Sequence, residues 1–126
     1  MSYTGMYRSN MVKVNRDTLT DLFGENFADQ HHDIHFEDEE TMFIGDTAGS
    51  TFDVWAGEWA GELPEEFEHM SGNITELWLE LISEGLQEGE VLTIRSVGFE
   101  GLAHMPDAFE WTVKPDGTVQ FEQLGM

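Results

Sequence analysis

The sequence predicts an α+β fold, an antiparallel sheet of about five to six strands with two amphipathic helices packed on one face. Three observations carry this expectation. Ile74, Leu77, Trp78, Leu81 and Ile82 recur at i, i+3, i+4, i+7 and i+8, the apolar stripe of a helix. Phe109, Trp111 and Val113 alternate with Glu110, Thr112 and Lys114, and Val119 and Phe121 continue the pattern beyond Pro115-Asp116-Gly117, a hairpin signal. Leu19, Leu22, Phe23 and Phe27 form a second helical stripe.

Taken in order, Met1 to Asn10 has no periodicity and reads as an extended arm. Met11 to Val14 reads as a short strand with Val12 and Val14 on one face. Asn15 or Asp17 caps the first helix, in which Gly24 costs about 1 kcal/mol against alanine. Residues 33–46 read as two strands, Ile34 and Phe36 on one and Met42 and Ile44 on the other. The acidic run Glu37 to Glu40 between them is a poor tight turn, so a loose connection is expected. Residues 47–50 are a loop by composition. Thr51 to Ala56 reads as a strand with Phe52, Val54 and Ala56 facing one way and Trp55 the other. A helical turn from Pro64 is expected, because proline suits a first helical position.

The central helix spans Asn73 to Leu86. Asn73 is its expected N-cap, with Glu76 completing a capping box and Gly85 supplying a left-handed end. Leu79 is expected to point off the stripe. Val91 to Phe99 reads as a strand with a bulge at Gly98, and 101–107 as a loop.

Charge dominates the composition. Twenty-six acidic residues face five basic ones across 126 residues, a net charge of -21. Repulsion at that density destabilises a compact state unless high salt or a cationic partner relieves it. Lysine is scarce (Lys13 and Lys114) and the acids are scattered along the chain, which favours adaptation to high salt. The basic residues are uneven. Residues 1–16 carry Arg8, Lys13 and Arg16 and no acid, and 17–126 carry the other two basic and all the acidic residues. The expected organisation is a basic extended arm over 1–16 and a single acidic α+β domain over 17–126. With no cysteine, disulfides and thiolate metal sites are excluded. No apolar run is long enough to span a bilayer, and no secretion signal opens the chain.

No motif for catalysis or cofactor binding is found, so no catalytic or cofactor-binding residue is expected. His31, Asp33 and His35 are the one weak metal candidate, since strand spacing puts all three on one face. The run Glu37 to Glu40 lacks the spacing of a calcium loop. Trp55 and Trp59 are either an exposed contact patch or ordinary core. The candidate interface residues are Tyr3, Tyr7, Arg8, Lys13, Arg16, Trp55 and Trp59.

These readings converge on a non-enzymatic, salt-adapted structural subunit of a larger assembly, a homo- or hetero-oligomer with other protein subunits as partners. Its concrete form is a virion component (capsid accessory, neck or tail protein) of a virus of a halophile. The expected setting is a halophile's cytoplasm or the virion. The alternative is an acidic mimic of nucleic acid that inhibits a DNA-binding enzyme. Direct binding of nucleic acid by the acidic body is not expected, because phosphate contacts need positive charge.

Overall fold

A computed structural model describes residues 3–25, 27, 31, 33–46, 52–55, 65–67, 72–100 and 107–124. Its elements are β1 (Tyr3–Ser9), β2 (Val12–Lys13), α1 (Arg16–Phe23), β3 (Ile34–Phe36), β4 (Thr41–Asp46), a 3₁₀ turn (Glu65–Phe67), α2 (Thr75–Gly85), β5 (Leu92–Glu100), β6 (Asp107–Val113) and β7 (Val119–Gln123). The class is mixed α+β. The strands form one seven-stranded antiparallel sheet, more than the five to six expected.

The difference arises at the amino end. Residues 3–9 are not an arm: β1 is an inner strand, paired with β5 from Tyr3↔Glu100 to Ser9↔Ile94 and with β4 at Tyr7↔Asp46 and Arg8↔Gly45. β2 follows along β4 at Val12↔Met42 and Lys13↔Thr41, one residue out of step with β1. The extra residue is a bulge over Ser9 to Met11, and it shifts the buried positions from Gly5, Tyr7 and Ser9 to Val12 and Val14. Side chains satisfy the disrupted ladder. Ser9 Oγ accepts from Ile44 N at 2.8 Å, Asn10 Oδ1 accepts from Thr93 N at 2.8 Å, and Asn10 Nδ2 donates to the Val91 carbonyl at 2.9 Å.

Helix α1 begins at the cap Asn15, whose Oδ1 accepts from Thr18 N at 3.2 Å, and stops at Gly24, which has φ 102°. Gly24 therefore ends the helix instead of weakening its interior. At α2 the N-cap is Ile74, which makes no side-chain cap bond, so the expected cap at Asn73 with its capping box to Glu76 does not form. Asn73, one residue earlier, instead accepts from Thr75 N through its Oδ1 at 2.9 Å. Gly85 does not take a left-handed conformation. It is the last helical residue and is small because a Cβ there would lie 2.4 Å from Leu19 Cδ2 and 2.6 Å from its Cγ. The glycine thus sets how closely α1 and α2 pack. Leu79, expected to point outward, is fully buried, so α2 buries a wider arc than its stripe implies.

The two helices and the sheet share one apolar cluster, with Trp78, Leu19, Ile94 and Met42 among its fully buried members. Trp78 lies 6.0 Å from Phe23 and 6.1 Å from Phe52, measured between ring centroids. Residues 52–55 alternate as expected, Phe52 inward and Trp55 outward, but they form no ladder strand. Trp55 makes a single bridge to Asn73, Phe52 N donates to Ser96 Oγ at 2.9 Å, and Val54 N donates to Thr75 Oγ1 at 2.8 Å. The 3₁₀ turn buries Phe67, and Pro64 lies outside the described residues.

Two connections are tighter or plainer than the sequence implies. Four residues link β3 to β4, and Asp38 Oδ1 closes them by accepting from Glu40 N at 2.9 Å and Thr41 N at 2.8 Å. Those bonds, the one from Glu40 foremost, hold the Asp38 carboxyl below its ordinary value. Gly98 is no bulge, since it stays in register between Gly5 and Asp107. The β6–β7 hairpin forms as expected, with Gly117 at φ 92° and Asp116 Oδ1 accepting from Thr118 N. Residues 47–50 and 101–106 lie outside the described residues.

Candidate functional site

Strand alternation gives β1 and β5 two unlike sides. Tyr7, Ser9, Ile94 and Ser96 are buried, and Met6, Arg8, Arg95 and Val97 are exposed. Register places Arg8 directly opposite Arg95, and Met6 opposite Val97. Two of the five basic residues of a chain with net charge -21 therefore meet on adjacent inner strands. Like charges directly opposite one another destabilise a sheet unless neighbours compensate them.

Neighbouring side chains manage this charge. Arg95 Nε donates to Glu110 Oε2 at 2.7 Å. The Arg8 guanidinium lies 4.6 Å from the centroid of the Phe43 ring, and His35 stacks on the same ring at 4.9 Å. His35 Nε2 is 3.0 Å from the Gly45 carbonyl oxygen. Each contact is worth about 0.5–1 kcal/mol at an exposed site. Together they line a shallow groove whose apolar rim is Met6, 56% exposed, and Val97, 42% exposed. Gly45 lies at its base, where a Cβ would sit 3.3 Å from the Tyr7 carbonyl oxygen and in ordinary contact with Arg8 and Phe43. Lys13 is exposed on the same side of the sheet, where its Nζ donates to Thr41 Oγ1 at 2.9 Å. Asp46 also lines the groove and Glu110 already takes the Arg95 Nε donor, so it is the remaining guanidinium N–H groups that suit a further carboxylate.

The expected interface residues separate. Arg8 and Lys13 share this side. Arg16 does not: its guanidinium lies 4.1 Å from the Phe36 ring, beside Asn15, Asp17, Glu39 and Glu40. Tyr7 belongs to the core, buried edge-on against Phe52 at 5.1 Å, with its hydroxyl donating to Asp33 Oδ2 at 3.2 Å. Burial first, and the charges of Asp33 and Asp46 next, push its phenol far above the ordinary tyrosine value. Trp55 is 43% exposed and lies over Gly72. The Tyr3 backbone is in β1. The Tyr3 side chain and Trp59 lie outside the described residues.

The weak metal candidate is not assembled. The His31 ring packs 5.7 Å from both Phe23 and Trp78, Asp33 accepts from Tyr7, and His35 turns to Phe43. Among the described residues no group of three or more His, Asp or Glu side chains could hold a metal ion. His32 and the isolated His69 and His104 lie outside them.

Sequence reasoning missed Arg95, Met6, Val97 and Phe43. The available signal was that Arg95 and Val97 occupy the second face of a strand whose first face is Leu92, Ile94 and Ser96. The groove becomes visible only once residues 3–9 are placed beside that strand. No family model, curated protein or solved structure matches this chain. Among the described residues no helix is long and apolar enough to cross a membrane.

Proposed function

We propose that the chain is a non-enzymatic, salt-adapted structural subunit that docks an acidic surface of a neighbouring copy onto the Arg8–Arg95 groove. The carrying observation is the placement of Arg8 opposite Arg95 on the exposed side of β1 and β5. In this reading the two helices cover one face of the sheet and leave the other to the neighbour. The acidic surface comes from the same chain, which has carboxylates in excess at -21. A groove meeting a different surface is a head-to-tail contact, which closes into rings or extends into filaments. A virion component of a virus infecting a halophile is the concrete form of such a subunit.

Salt has two opposing effects here. It screens repulsion between whole copies, with a Debye length of about 10 Å at 0.1 M and about 3 Å at 1 M. Contacts at hydrogen-bond distance, with Met6 and Val97 beside them, are screened far less. The test is to replace Arg8 and Arg95 together by alanine and measure particle size by light scattering in about 1 M salt. The wild type is expected to form larger particles, which the double variant loses while its circular dichroism is unchanged. Equal sizes would remove the groove from the contact. Circular dichroism of the wild type at about 0.1 M salt separates the mimic of nucleic acid, which would be fully folded there.

A further inference from the structure

We infer that β7 is a self-pairing edge, joining two copies of this chain into one continuous antiparallel sheet about a two-fold axis at Phe121. This does not depend on the arginine groove, which lies on other strands.

β7 pairs with β6 from Val113↔Val119 to Phe109↔Gln123, and among the described residues no strand pairs with its other side. Backbone parity shows what that side offers. Lys114 N donates to the Thr118 carbonyl at 2.9 Å, and Leu124 N donates to the Ala108 carbonyl at 2.8 Å. Hydrogen-bonded pairs alternate along an antiparallel ladder. Gln120 and Glu122 therefore spend their backbone groups on β6, and Val119, Phe121 and Gln123 turn theirs outward.

Natural sheet edges are usually blunted by lysine, proline, bulges or brevity. Val119–Gln123 has no lysine, no proline and a single charge, Glu122, in a chain that is otherwise densely acidic. Phe121 is a large apolar residue left 54% exposed. It sits 4.9 Å from the Trp111 ring and 5.4 Å from Phe109, and register continues its row through Trp111 and Ile94 into the core.

The occupant is a second copy because the edge is complementary to itself. Antiparallel pairing about Phe121 makes Phe121 face its counterpart as a hydrogen-bonded pair, and Val119 face Gln123. Glu122 then faces Gln120, so no like charges lie directly opposite. The two aromatic rows meet at the axis and cover each other's exposed rings. A strand from another protein would need to reproduce that pattern by chance. Repulsion between two copies at -21 each opposes the pairing, so it strengthens with salt.

Hydrogen exchange of the intact chain in about 1 M salt tests this without any substitution. The Val119, Phe121 and Gln123 amides are expected to exchange about tenfold more slowly at high than at low protein concentration. The Gln120 and Glu122 amides, already bonded to β6, change little. Phe121→Lys and Gln123→Pro should abolish the concentration dependence. The proline removes only an outward N–H and is tolerated at an edge. Circular dichroism of each variant checks that the fold persists. Concentration-independent exchange at Phe121 in the wild type, or protection that survives in either folded variant, would overturn the inference.

Discussion

Gly85 and Tyr7 show how single residues set this fold. A methyl at Gly85 gains about 1 kcal/mol of helix propensity. It also collides with Leu19, fully buried between the helices, and overpacking of that kind costs about 1–3 kcal/mol. Gly85→Ala is therefore expected to lower stability by up to about 2 kcal/mol in a denaturant titration. Leu19→Ala should cost less in the Gly85→Ala background than in the wild type, because the new methyl fills part of the cavity that truncation leaves. Tyr7 is governed by charge and burial. An unfolded tyrosine ionises near pH 10, whereas folded Tyr7 is held neutral well above that. Its stabilising contribution is therefore present below about pH 10 and lost as pH rises beyond it. Tyr7→Phe removes the bond to Asp33 and should cost about 1 kcal/mol at neutral pH. It should also move the alkaline unfolding midpoint upward, as read by circular dichroism.

At the scale of elements, the helices and the last hairpin were legible in the sequence and the amino-terminal strand was not. The stripe Ile74, Leu77, Trp78, Leu81 and Ile82 and the alternation around Pro115-Asp116-Gly117 are strong because large apolar side chains recur at one fixed period in each. β1 gives no such signal. Its buried positions are Gly5, Tyr7 and Ser9, of which Gly5 faces Gly98 and Ser9 serves the Ile44 amide. The bulge then shifts the alternation before Val12, so no single period fits both strands. The arginine groove was illegible for the same reason: Arg8 was readable as a charge, but not its position opposite Arg95. Two outcomes follow for this element. Removing residues 1–10 should leave a chain without cooperative thermal unfolding, because the inner strand is gone. Asn10→Ala should lower stability by about 1–2 kcal/mol through loss of the bonds to Thr93 and Val91.

Over the whole molecule, the balance of charge decides what the fold can do. A net charge of -21 keeps copies apart at low ionic strength, while Arg8, Arg95 and Lys13 are gathered on one exposed side of the sheet. High salt removes the long-range repulsion and leaves short-range contacts to operate. In the proposed account the groove and the β7 edge give each copy two different means of association, one joining unlike surfaces and one joining like edges. The most direct test is sedimentation velocity of the intact chain in about 1 M salt, beside the variant with both Arg8→Ala and Arg95→Ala. The account predicts a wild type that sediments faster than a dimer and a variant that stops at the edge-paired dimer. A wild type that sediments no faster than the variant would contradict it.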